Sequence, residues 1–172
     1  MTEAGLRIAL HVTARITFAF FVCAFTGNAL SDLWPGRLSL WLSRNRDWFL
    51  VAMAASHTFH LAAIIAFFQV VGWAKLQLVT LLGGGFVYLL MYALAVTAIM
   101  RLRPGGHGFL AGSPKLEAAA LYLIWLIFAL AFVPRIISGW PVYSILAVIA
   151  LAALVIRIVC LVRHKRTLAA AA

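Results

Sequence analysis

The sequence predicts an all-α integral membrane bundle of about five transmembrane helices, with a periplasmic amino terminus and a cytoplasmic carboxy terminus. Three observations lead there. Of the 172 residues, 66% are hydrophobic and 10% are charged, and the mean hydropathy is +1.07, so the surface such a chain presents is matched by lipid and not by water. Its apolar residues fall into five runs, each long enough to cross about 30 Å of hydrocarbon at about 1.5 Å per residue. Lys and Arg collect in alternate connections between those runs.

A backbone in hydrocarbon has to satisfy its own hydrogen bonds, and none of the runs alternates in polarity with a period of two, so each is a helix. The first covers residues 6–30. Its charged start imitates a signal peptide, but the run is longer, carries Arg15 internally and is followed by four more spans. Residues 31–46 then place Leu38, Trp41 and Leu42 at helical spacing with Arg and Ser between them. That pattern suits a short helix lying on the inner leaflet and anchoring the second span. The second span covers 47–71 and the third 76–100. After it, residues 101–114 contain Pro104, Gly105, Gly106 and Gly108, which predicts a flexible cytoplasmic turn without a phosphate-binding pattern. The fourth span covers 116–137 and the fifth 140–162, so residues 1–172 read as a single transmembrane domain.

Orientation follows from the cationic residues of the connections. One side receives Arg37, Arg44, Arg46, Arg101, Arg103, Lys115, Arg163, Lys165 and Arg166; the other receives Arg7, Lys75 and Arg135. Short cytoplasmic loops are the ones enriched in Lys and Arg, which puts the first group inside, in the inner (cytoplasmic) membrane of a cell. Trp34, Trp41 and Trp48 are then expected at the inner interface, and Trp73, Trp140 and Tyr143 at the outer one. The net charge of +10 is scattered between hydrophobic segments and forms no long basic face, which argues against nucleic acid as a partner. Cys23 and Cys160 both sit inside apolar runs without a CxxC spacing, and read as two buried apolar thiols.

Function in such a bundle is expected on the polar residues that cannot avoid hydrocarbon. These are His11, Arg15, His57 and His60, with Ser56, Thr58 and Thr80 as weaker candidates. His57 and His60 lie three residues apart on nearly one helical face, and eleven residues from Arg46 put His57 about 16 Å deep, near the bilayer centre. A neutral imidazole there is an available ligand for haem iron or another transition metal, or a hydrogen-bonding contact between helices. Projecting from one face of one helix, the pair cannot supply both opposite axial ligands of one haem. His11 and Arg15 share a face of the first span, where Arg15 has to snorkel or meet an anion such as a haem propionate or a lipid phosphate. Gly83, Gly84 and Gly85 strip one turn of the third span of side chains, for close helix packing or for a flat ligand. Tyr122 and Trp125 are candidates for a cavity wall or for the core.

The apolar stretch 17–30 running into Leu33-Trp34-Pro35-Gly36, the arginine pair of Trp41-Leu42-Ser43-Arg44-Asn45-Arg46, and Ser56-His57-Thr58-Phe59-His60-Leu61 together resemble the ferric reductase-like transmembrane family. That family includes the membrane haem b subunits of methionine sulfoxide reductase systems and the membrane parts of NADPH oxidases. Residues 93–103 and 121–128 extend the similarity. The resemblance implies a noncovalent b-type haem (haem b) held by histidines of two helices, with His57 at the first ligand position and His60 beside it. It also implies electron transfer across or within the membrane. Departing from the family's pattern, residues 116–120 and 129–132, where partner histidines are expected on the fourth helix, contain none. A second axial ligand would then be His11 or a residue of another subunit, or the iron would be five-coordinate, or the chain would be a relative that keeps the scaffold without the cofactor.

The expected function is therefore a haem b-binding membrane protein of ferric reductase-like type, at most the membrane electron-transfer component of an oxidoreductase. It would exchange electrons with a quinone or a cytoplasmic donor and with a periplasmic acceptor. No flavin or nicotinamide module is read in these residues, so another protein subunit or redox partner is implied. The alternative is a cofactor-free accessory or assembly subunit of a larger membrane complex, with small-residue faces at 52–55 and 83–85 as its contacts.

Overall fold

The computed structural model describes residues 2–73, 78–108, 110 and 112–170, without the side chains of residues 79, 80, 168 and 170. Among the described residues six α-helices follow in order: α1 Glu3–Leu33, α2 Arg37–Arg44, α3 Arg46–Val71, α4 Leu78–Leu102, α5 Pro114–Phe132 and α6 Val142–Ala170. All except α2 are long and apolar enough to cross a membrane, so five spans stand. No strand occurs among the described residues. Polarity is distributed as lipid requires. Phe59, Leu89 and Val148 are 71%, 69% and 65% exposed, and such large apolar faces are stable against hydrocarbon but not against water.

Several element ends differ from the sequence expectation. The fourth span stops at Phe132 and continues as a short 3₁₀ turn, Val133–Arg135, instead of reaching residue 137. Pro134 causes this, because it lacks an N–H and its ring clashes with the carbonyl four residues earlier. The last helix runs to Ala170, eight residues beyond 162, so Arg163, Lys165 and Arg166 ride on the helix itself. Lys75 and the expected start of the third span at Leu76 lie outside the described residues.

The chain divides into two units. The first, Met1–Phe21 with Asp47–Ile124, holds the leading part of α1, all of α3 and α4, and the start of α5. Val87, Met91, Leu94, Ala95 and Ala98 form the buried stripe of α4, spaced as one helical face. Leu50, Met53 and Ala54 of α3 and Ala120, Leu121 and Ile124 of α5 are buried in the same unit. The connection after α4 folds back on its own helix rather than swinging free as expected. Leu110 N–H donates to Thr97 Oγ1 at 3.3 Å, and a Cβ on Gly108 would meet Thr97 O at 2.9 Å. Only glycine allows that approach.

The second unit, Val22–Arg46 with Trp125–Ala172, contains the rest of α1, α2, the end of α5 and α6. Phe25, Ala29 and Leu33 of α1 are buried in it, as are Phe128 and Phe132 of α5 and Ala147, Ala150 and Ala153 of α6. The short amphipathic helix expected after the first span is α2, with Leu38 and Trp41 exposed. Its start is stapled by Ser39, whose hydroxyl donates to Trp34 O at 2.7 Å and accepts from Gly36 N–H at 2.9 Å. Its contacts run back to α1: Ser43 Oγ donates to Asn28 Oδ1 at 2.9 Å, and a Cβ on Gly27 would lie 3.1 Å from the Leu42 carbonyl.

Candidate functional site

Within the first unit, α3 carries His57 and His60 close to the midpoint of its 26 residues. Three residues of helix place them on one face, and their rings stack with centroids 5.2 Å apart and planes 20° from parallel. On the α4 side Tyr88 stacks against His57 at 4.1 Å, and its hydroxyl donates to His57 O at 3.2 Å. One turn along α4, Tyr92 OH lies 2.9 Å from Thr58 Oγ1. Thr58 already donates its one proton to Ala54 O at 2.9 Å, so Tyr92 is the donor of that pair.

On the α1 side, Thr13 Oγ1 lies 2.8 Å from His60 Nδ1. Thr13 donates to Ala9 O at 2.7 Å, which leaves His60 Nδ1–H as the donor and places the free lone pair of that imidazole on Nε2. Thr17, fully buried, meets Ser56 Oγ at 3.0 Å. A seam of eight polar side chains thus links α1, α3 and α4, running from the buried Thr17 to the exposed Thr58 and Tyr92: Thr13, Thr17, Ser56, His57, Thr58, His60, Tyr88 and Tyr92. His57 Nδ1 is the open valence in it, buried and without a hydrogen-bond partner. An unsatisfied buried nitrogen costs about 1–3 kcal/mol, which favours any ligand that completes it.

Of the site residues expected from sequence, His57, His60, Ser56 and Thr58 come together here. His11 does not: it is exposed on α1 and makes no hydrogen bond or ion pair among the described residues. Arg15, one turn on, is half-buried. The Thr80 side chain lies outside the described residues. A Cβ added at Gly83, Gly84 or Gly85 would meet nothing within 4 Å among the described residues. Trp125 is a packing residue of the second unit, its indole N–H donating to Ala150 O at 2.8 Å. Cys160 departs from the apolar burial expected of it, with its thiol directed at Asp32 Oδ2 at 3.7 Å.

A second constellation of the first unit escapes the sequence reading. Arg101, at the end of α4, forks onto Asp47 at 2.6 and 3.0 Å and onto Glu117 at 2.9 and 3.3 Å. Their side chains are 23%, 22% and 12% exposed. Asp47 and Glu117 occupy the first turns of α3 and α5, where negative charge complements the helix dipole, as positive charge does at the end of α4. Scarcity was the available signal: the chain has only four acidic residues, and two of them open spans that flank the one ending in Arg101.

Among the described residues no three His, Cys, Asp or Glu side chains converge as a metal-ligand set. The histidine pair supplies imidazole from one side only. Comparison with protein-family models, with curated proteins and with solved structures finds no match to this chain.

Proposed function

We propose that this is a multi-pass membrane protein of ferric reductase-like type that holds haem b on the His57–His60 face of α3 and transfers electrons in the inner membrane. The observation that carries the reading is His57 Nδ1, buried near the middle of a span and without a partner. His57 and His60 are the residues that would hold the iron from α3. Their rings are nearly parallel neighbours on one helix, so both would approach a bound haem from α3. Any further ligand would come from another subunit. His60 has the orientation typical of a ligating imidazole, its Nδ1–H anchored on Thr13 and its Nε2 presented. Tyr88 closes the other face of His57 and helps exclude water. Haem, when bound, supplies one-electron chemistry; the protein tunes its potential through ligand, burial and hydrogen bonds. With no nucleotide-binding motif in the sequence, a quinone or a partner protein supplies or removes the electrons.

Absorption spectroscopy on the full-length protein, expressed with ample haem and purified in mild detergent, tests this. A reducible b-type Soret and alpha band that disappears in His57→Ala or His60→Ala is expected, and the two variants identify the ligand. A colourless, folded wild-type preparation would sink the proposal. In that event the second reading stands, a cofactor-free accessory subunit of a larger membrane complex. It is favoured by the bare surface of Gly83, Gly84 and Gly85, which admits a neighbouring helix at close range.

A further inference from the structure

The second unit contains a cleft of about 590 Å³ between the end of α1 and the end of α6. Its polar lining is Asn28, Asp32, Arg157, Arg163, His164 and Thr167, and Ala29 and Leu161 add apolar surface. The α6 members fall at 157, 160, 161, 163, 164 and 167, with Arg163 at the edge of the face that the other five share. Arg157 lies six residues before Arg163, about 9 Å deeper along the helix axis, within an otherwise apolar run. It is held in place by Phe25, whose carbonyl accepts from Arg157 Nη1 at 3.4 Å and whose ring lies 5.0 Å below the guanidinium carbon.

We propose that this cleft binds the phosphodiester of an anionic phospholipid headgroup, of the hydroxylated phosphatidylglycerol class. Charge sets the class. Two arginines against one aspartate leave an excess of one positive charge among them, which a monoanionic phosphodiester neutralises. Arginine forks are suited to phosphate oxygens. Asp32 sits in the last turn of α1, where a carboxylate is disfavoured by the helix dipole and requires a donor. The thiol of Cys160 at 3.7 Å is a weak one, and the glycerol hydroxyls of the headgroup supply better ones. Leu161, half-exposed at the cleft wall, offers apolar contact to an acyl chain. Basic clefts between helices near one membrane face are a recurring way of holding anionic lipid.

Native mass spectrometry of the full-length protein in mild detergent tests the assignment, using phosphatidylglycerol and phosphatidylcholine of identical chains and inorganic phosphate as a separate arm. The expected result is selective retention of phosphatidylglycerol, weakened about fivefold by Arg163→Gln and about fivefold again by Arg157→Gln, with phosphatidylcholine retention unchanged. Asp32→Asn is expected to move the preference towards phosphatidic acid, which carries more negative charge and no glycerol. Equal retention of the two diacyl lipids overturns the proposal, as does a preference that survives loss of both arginines. Displacement of the lipid by millimolar inorganic phosphate overturns the lipid assignment in favour of a free-anion site. Arg163 is exposed, so its variant remains informative if Arg157→Gln fails to fold.

Discussion

Thr13 has one hydroxyl proton, and that count decides which nitrogen of His60 is free. With the proton on Ala9 O, His60 donates from Nδ1 and presents Nε2. Thr13→Val keeps the shape of the side chain and removes its acceptor, so His60 Nδ1–H loses its side-chain partner. The expected cost is about 1 kcal/mol, in the range measured for interhelical hydrogen bonds in membranes, read as a lowered midpoint of thermal unfolding in detergent. Thr13→Ser restores the bond and the midpoint. If haem is bound, Thr13→Val also shifts its reduction potential while Thr13→Ser does not, which distinguishes orientation of a ligand from plain packing. The histidines of this seam were legible in the sequence because imidazole is rare in hydrocarbon. Thr13, Thr17, Tyr88 and Tyr92 were not, because a threonine or tyrosine in an apolar helix announces nothing until a neighbouring helix supplies its partner.

At the scale of helices, two glycine positions have opposite expected effects. Gly27 lies where the backbone of α2 meets α1, and an added Cβ would sit 3.1 Å from the Leu42 carbonyl, which cannot retreat as a flexible side chain would. Gly27→Ala is expected to cost about 1–3 kcal/mol through overpacking. Gly84 meets nothing, so Gly84→Ala is expected to stabilise the isolated chain by up to about 1 kcal/mol through helix propensity. Thermal unfolding of the two variants side by side checks both signs. The Arg101 triad ties three helix ends together in the first unit. Arg101→Gln leaves Asp47 and Glu117 facing each other without their shared cation. A loss approaching about 3 kcal/mol is expected, reduced by the partial exposure of all three groups. Adding Asp47→Asn and Glu117→Gln to the same chain should recover part of that loss, since the charges that Arg101 neutralised are then absent. A triple variant less stable than Arg101→Gln alone would show that the acids act separately.

For the whole molecule, the five spans and the amphipathic α2 followed from run length and spacing, which depend on local composition alone. What the sequence left hidden depends on distance along the chain: Arg101 reaches back to Asp47, fifty-four residues away, and Cys160 faces Asp32 across one hundred and twenty-eight. Gly108 was read as part of a loop and Pro134 was passed over inside the fourth span, and whether such a residue ends a helix early or lets a loop fold back is decided by its neighbours. Orientation in the bilayer belongs to this scale too, because it is set by the sum of the connections. The cationic residues at 101–115 and 163–166 predict that the connection between α4 and α5 faces the cytoplasm. The turn between α5 and α6, with Arg135 as its single cation, should then face the opposite side. With Cys23 and Cys160 replaced by serine, Gly112→Cys and Ser138→Cys put a single thiol in each connection, both at exposed positions. A membrane-impermeant maleimide applied to intact spheroplasts should label the thiol at 138 at once and the one at 112 only after permeabilisation. The reverse pattern would invert the bundle, place the α6 arginines on the outer leaflet, and remove the anionic inner-leaflet lipid from reach of the Arg157 cleft.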